Sequence, residues 1–198
     1  MVAHFLFGSS RFCFGIEKGR NRSKFINYSI VLFVCFGVLD WVFIMFRCIP
    51  YRYKEDVDGN MSDELEVLVV SSQKGQGFMF PKGGWELDES VEEAACRESL
   101  EEAGVLGIIE HELGQWYFIS KRHGIYYEGH MFPMFVKEQL DTWPEKDLRR
   151  RIWMTVGEAR EVCQHWWMKE ALDILVQRIM LSSEQGKKDM VLDDSLGF

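Results

Sequence analysis

Glu98, Glu101 and Glu102 stand at positions i, i+3 and i+4 of the segment Ser90 to Ala103. On a helix that spacing puts all three carboxylates on one face, about one turn apart. Like charges so close repel one another by roughly a few tenths of a kcal/mol per pair. A hard divalent cation relieves the repulsion, because Mg2+ and Mn2+ select carboxylate oxygens. By itself the pattern is also that of an ordinary solvated acidic face. The residues just before it add a second element, since Lys82-Gly83-Gly84 follows Pro81 and precedes the helix by a few positions. Paired glycines let a backbone approach a ligand closely, and Lys82 offers a cation to phosphate oxygens. A glycine turn followed by a carboxylate-lined helix suits metal-assisted cleavage of a phosphoanhydride.

The elements that must position these residues can be read around them. Ser90 with Glu93 three residues on forms a capping box, and Gly104 is a helix stop, so a helix is predicted over Ser90 to Ala103. Leu65 to Ser72, rich in Val, reads as a buried strand. Lys74 to Gly77 reads as a turn and Phe78 to Phe80 as a short extended piece. Gln115 to Ser120 and Tyr126 to Val136 have the aromatic and β-branched content of strands. Val156 to Cys163 and His165 to Leu181 read as helices, the second with an apolar face through Trp167, Ala171, Leu172, Leu175 and Ile179. One α/β domain is therefore expected over residues 47–181, followed by a mobile tail over 182–198 with no periodicity.

Residues 1–46 form an atypical extension. Arg11, Lys18, Arg20, Arg22 and Lys24 face a single acid, Glu17, and the run Ile26 to Phe46 is largely apolar. That run is close to the ~20 residues that span a bilayer. A membrane anchor, an organellar (mitochondrial) presequence, and a mis-joined start of the gene are competing readings; against the anchor stands a first buried strand over Val42 to Pro50. Cytoplasm and nucleus are the expected compartments if the extension is not a signal. The five scattered cysteines, Cys13, Cys35, Cys48, Cys96 and Cys163, have no C-x-x-C spacing, so neither a zinc site nor a disulfide framework is expected.

The chain has 198 residues, 47% hydrophobic and 27% charged, enough for one domain with a sizeable core. Its net charge of -8 argues against an extended nucleic-acid surface, not against a small anionic substrate. Oligomeric state is not readable.

From Gly83 onward the sequence resembles the Nudix box, G-x5-E-x7-R-E-U-x-E-E-x-G-U, where U is a bulky aliphatic residue. Gly83, Glu89, Arg97, Glu98, Glu101, Glu102, Gly104 and Val105 fall in register. Ser99 stands where the family has an aliphatic residue, which predicts a loss of buried area worth about 1–2 kcal/mol. The resemblance implies the Nudix fold, an α/β/α sandwich around a mixed sheet. It implies that Glu98, Glu102 and the Gly83 carbonyl hold Mg2+, with Mn2+ able to substitute. Glu101 would be the general base, although family members differ on which carboxylate serves. Glu89, Arg97 and Gly104 would be structural. Phe80-Pro81-Lys82-Gly83-Gly84-Trp85-Glu86, Tyr126-Tyr127-Glu128-Gly129 and Arg150-Arg151-Ile152-Trp153 resemble plant Nudix hydrolases similar to diphosphoinositol polyphosphate and diadenosine polyphosphate hydrolases. A small polyphosphorylated substrate is thus implied, contacted by Lys82, Arg52 and Arg122. Lys54, Lys74, Lys121 and the Arg149 to Arg151 run are further cations, and Glu128 a further carboxylate. A Nudix enzyme for ADP-ribose, NADH or capped RNA, and a non-catalytic nucleotide-binding module, are the alternatives.

Overall fold

The computed structural model describes residues 30–35, 38–55, 61–73, 77–84, 86, 89–119 and 124–194. Its apolar beginning settles into strands. β1 (Ile30–Cys35) pairs antiparallel with β2 (Val38–Glu55), Ile30 lying opposite Phe43 and Cys35 opposite Val38. The helical membrane anchor is corrected accordingly, and no described helix is long and apolar enough to cross a membrane. The physical reason is the content of β-branched and aromatic residues together with a buried neighbour to pair with. That neighbour is β8 (Tyr126–Gln139), which runs parallel to β2 from Val42 opposite Tyr126 to Tyr51 opposite Phe135. Residue 47, expected to open the domain, lies inside β2, with Ile44 and Phe46 already in the core.

β3 (Met61–Ser71) pairs antiparallel with β2 and carries β4 (Phe78–Met79) and β9 (Arg151–Thr155). The two-residue β5 (Lys82–Gly83) also pairs with β2, setting Gly83 opposite Phe46 and Lys82 opposite Arg47. β6 (Val105–Ile109) and β7 (Gly114–Ile119) both pair antiparallel with β8. The sheet is mixed, and its side chains alternate between two covered faces. One face packs Ile44, Phe46, Cys48, Leu68, Val70, Phe132 and Met134 against α1 (Val91–Ala103). The other packs Ile49, Tyr51, Val67, Val69 and Met131 against α2 (Val156–Val162) and α3 (Trp166–Asp194), chiefly through Trp167, Ala171, Leu172 and Leu175. Full burial of such side chains stabilises by about 1.5–3 kcal/mol each.

α3 continues to Asp194, so most of the expected mobile tail is helical. The segment from Ser182 to Asp194 contains no Pro, and its one glycine, Gly186, costs only about 1 kcal/mol in a helix otherwise supplied with Glu, Gln, Lys, Met and Leu.

Candidate active site

α1 owes its position to both ends. Ser90 Oγ accepts from Glu93 N at 3.1 Å while Glu93 Oε2 accepts from Ser90 N at 2.6 Å. Gly104 closes the helix at φ 63°, a left-handed conformation that glycine adopts without penalty. The last turn contains no basic residue of its own. Arg151 supplies one from β9: its Nη1 donates to the carbonyls of Ala103 (2.9 Å) and Gly104 (3.1 Å), and its guanidinium stacks 3.9 Å over Trp143. A cation at that end complements the helix dipole.

Ser99 is fully buried, yet its hydroxyl donates to the Ala95 carbonyl at 2.8 Å. The polar substitution in the box thus leaves no unsatisfied hydroxyl, though it still gives up apolar contact at that position.

The loop before the helix is gripped by Arg97. Its Nε and Nη2 reach both oxygens of Glu89 (2.9 and 2.8 Å), Nη2 also reaches the Gly84 carbonyl (2.9 Å), and Nη1 reaches Glu98 Oε1 (2.7 Å). Such a bidentate fork fixes orientation as well as charge. Gly83 lies so close to Glu98 that any side-chain carbon there would collide with the Glu98 carboxylate. Glycine here leaves the Glu98 carboxylate in place by close approach, not by a left-handed backbone.

The three glutamates sit in different surroundings. Glu98 is 13% exposed, and burial pushes its carboxyl up to about 7, with Arg97 opposing and Glu102 and Glu101 adding. Glu102 is buried, and burial raises it too, against Lys82 and Arg149. Its Oε2 accepts from the Lys82 backbone N–H at 3.0 Å and its Oε1 pairs with Arg149. Glu101 is 40% exposed, and its ion pair with Arg97 is a long one, 3.9 Å. Among the described residues no group of three His, Cys, Asp or Glu side chains converges on one metal position. The donor set nevertheless suits a hard cation: two carboxylates whose ionised forms burial penalises, both set against the β5 backbone.

Lys82 is half-buried, with its ammonium pKa lowered chiefly by burial and further by Arg47 and Arg149, against Glu102 and Glu98. Arg47 went unrecognised in the sequence. It is 5% exposed, pushed down to about 10 by burial, and its Nε and Nη1 have no hydrogen-bond partner among the described residues. Its guanidinium lies 4.5 Å from the Trp167 ring, and Glu102 is its strongest charge neighbour. The available signal was an arginine at an inward position of an alternating strand, FRCIPYRY.

Arg52 is not brought to this corner. Five residues beyond Arg47 on β2, it lies on the opposite face and roughly 17 Å further along. There it pairs with Glu66 at 2.8 Å and stacks 4.1 Å over Trp153. Lys54 is similarly engaged with Glu64 at 2.9 Å. Arg122, Lys74, Lys121, His123 and Trp85 lie outside the described residues. In the arginine run, Arg149 and Arg151 turn inward to protein partners, and Arg150 is the exposed member. Glu128 is buried against His130, 3.0 Å from Nε2.

Comparison with known proteins agrees with the box. The NUDIX domain family matches residues 56–175. Nudix hydrolase 17, mitochondrial, of Arabidopsis thaliana is 64% identical over 149 residues, 75% of this chain and 82% of that protein. Diphosphoinositol polyphosphate phosphohydrolase 2 of Mus musculus is 36% identical over 104 residues, 51% of this chain and 56% of its own. Among solved structures, a C. elegans Ap4A hydrolase binary complex superposes with a TM-score of 0.53 at 17% identity, covering 69% of this chain and 97% of that one. At that identity the likeness is one of fold.

Proposed function

The chain belongs to the Nudix hydrolase family, and from that membership we propose that it hydrolyses a phosphoanhydride bond in a small polyphosphorylated substrate, a diphosphoinositol polyphosphate or a diadenosine polyphosphate. Glu98, Glu102 and the Gly83 carbonyl hold a divalent cation, Mg2+ with Mn2+ able to substitute. When bound, the cation polarises phosphoryl oxygens and offsets the charge that develops on them. Glu101 is the general base. It is half exposed, on the same helix face as the two ligands and less tightly held than either, so it can reach a water and take its proton as the oxygen attacks phosphorus. Arg97 holds the loop against the helix so that this geometry precedes substrate binding.

The observation that carries the polyphosphate reading is the buried guanidinium of Arg47 next to Lys82, two of whose nitrogens lack an acceptor among the described residues. A buried cation without acceptors is costly, and phosphate oxygens are the acceptors its fork fits best. Two cations beside a metal-suited pair of carboxylates match a substrate with more than one phosphate group. The mouse relative named for diphosphoinositol polyphosphates supports the same class. A mitochondrial destination is part of the proposal. It rests on the basic, acid-poor start and on the Arabidopsis relative named as mitochondrial. The place of a fluorescent fusion with and without residues 1–29, which precede the first described strand, tests it.

Product release should be measured with and without Mg2+ on diphosphoinositol polyphosphates, diadenosine polyphosphates, ADP-ribose, NADH and capped RNA. Metal-dependent cleavage of the first two is expected to exceed the others. Preference for ADP-ribose, NADH or capped RNA would overturn the substrate class. Inactivity on all of them with metal present would point to a non-catalytic binding module.

A further inference from the structure

Arg149 occupies a position that neither a solvated charge nor a substrate contact requires. Its side chain is 4% exposed. The guanidinium divides among three partners from three parts of the chain: Nη2 pairs with Glu102 Oε1, Nε donates to Glu145 Oε2 at 2.6 Å, and Nη1 donates to the Ser71 carbonyl at 3.1 Å. Glu145 is itself buried, and its backbone N–H donates to the Glu101 carbonyl at 3.1 Å. The turn carrying Glu145 is thereby docked on the last turn of α1. Since Lys82 N–H holds the other oxygen of Glu102, the carboxylate is gripped on both oxygens by groups outside its own helix. Each carboxylate oxygen offers about two acceptor sites, so one remains on each for a further ligand.

We propose that Arg149, itself held by Glu145, is a positioning residue that aims the Glu102 carboxylate at the divalent cation. This rests on Glu102 being a ligand in the reading above. Two physical effects of removing Arg149 have opposite signs, which makes the proposal sharp. As a charge, Arg149 repels a cation arriving at Glu102, so its loss should tighten metal binding. As a holder of geometry, its loss frees the carboxylate to turn, and loss of such an outer partner weakens metal affinity by about 10–100-fold. The positioning role requires the second effect to win.

Mn2+ binding to the purified full chain should be measured directly, by calorimetry or by the loss of the free-ion EPR signal, for the wild type, Arg149→Gln, Arg149→Lys and Glu145→Gln. The expected result is at least tenfold weaker binding for Arg149→Gln and a smaller loss for Arg149→Lys, which keeps the charge without the three-way fork. Glu145→Gln should lie between the wild type and Arg149→Gln, and it keeps the test available should the Arg149 variants not fold. Turnover of the variants should recover as Mn2+ is raised, a rescue that general structural damage does not show. Equal or tighter Mn2+ binding in Arg149→Gln and Glu145→Gln overturns the proposal, as does unchanged binding accompanied by a raised KM, which would make Arg149 a substrate contact. Absence of Mn2+ binding by the wild type would instead remove the metal reading on which the proposal stands.

Discussion

Two corners of the sheet gather carboxylates, and they differ in what is left unpartnered. At the first, β5 and α1 bring Glu98 and Glu102 together with Lys82 and Arg47, and two nitrogens of the Arg47 guanidinium lack acceptors among the described residues. At the second, Glu92, Glu110 and Glu112 line a cavity of about 760 Å³ with His111, His130 and Arg178. There Tyr51 donates to Glu110 at 2.5 Å, His130 lies between Glu112 (2.5 Å) and Glu128 (3.0 Å), and Arg178 donates to the carbonyls of His111 and Glu112. The second corner is also acidic, but Tyr51, Glu110, Glu112, Glu128, His130 and Arg178 there are engaged with protein partners. A dense acidic patch is therefore a poor sign of chemistry. Buried groups still lacking a partner are a better one.

The largest expected effect separates the corners by turnover. Glu101→Gln should lower kcat by about 10²–10⁴-fold while leaving the unfolding midpoint near that of the wild type, because this side chain is the most exposed of the three. Near-normal turnover in Glu101→Gln would return the base role to Glu98 or Glu102. Glu102→Gln should differ by losing stability too, since breaking a buried ion pair costs about 3–5 kcal/mol. Chemical denaturation of the two variants side by side reads that difference.

Next in size is a pH effect confined to the first corner. Glu98, raised to about 7 in the fold from an ordinary value near 4.5, binds a proton more tightly folded than unfolded. In metal-free protein its contribution to stability is therefore fully present below about 4.5 and is lost as pH rises through about 7. The loss is on the order of 3 kcal/mol. Glu98→Gln should flatten that part of the stability profile. Metal binding needs the ionised carboxylate, so Mg2+ affinity should climb through the same window.

Arg47→Met should raise KM by about 10–100-fold through loss of charge-assisted hydrogen bonds to phosphate, with stability unchanged or increased because an unpaired buried charge is removed. A loss of stability at constant KM would make Arg47 a packing residue for Trp167 and erase the contrast between the corners. Smallest of all, Glu112→Gln should change kcat/KM less than threefold and cost about 1–3 kcal/mol in denaturation. A large loss of turnover there would mean that the second corner takes part in the reaction.

The parts of this site that were legible in the sequence are the local ones. A capping box, a helix stop and three glutamates at helical spacing declare themselves within one stretch, and Ser90, Glu93 and Gly104 do what their types predict. The Nudix domain and the layered α/β fold follow from the same stretch with the strand patterns. What depends on pairing across the chain was not legible. The apolar run Ile26 to Phe46 has the length of a membrane helix, and pairing with β8 and other strands makes part of it a strand. Arg52 and Arg47 lie on one strand and are alike as residues, but register puts them on opposite faces, and the family resemblance points to Arg52. Within three consecutive arginines, two turn inward to hold α1 and its glutamate, an assignment that depends on where the turn at Glu145 docks.

The parallel pairing of β2 with β8 has a consequence for how the protein is made. Val42 must find Tyr126 and Tyr51 must find Phe135 across most of the domain, and such distant closures are slow to form. The glutamate-bearing helix, complete by Ala103, is synthesised before strand β8, and so are Arg47, Lys82 and Gly83. A nascent chain paused ahead of Tyr126 carries the full signature of the family without the central pair of strands that seats it, and Arg149 follows later still. The reactive corner is thus among the last parts to be assembled, although its letters are among the easiest to read.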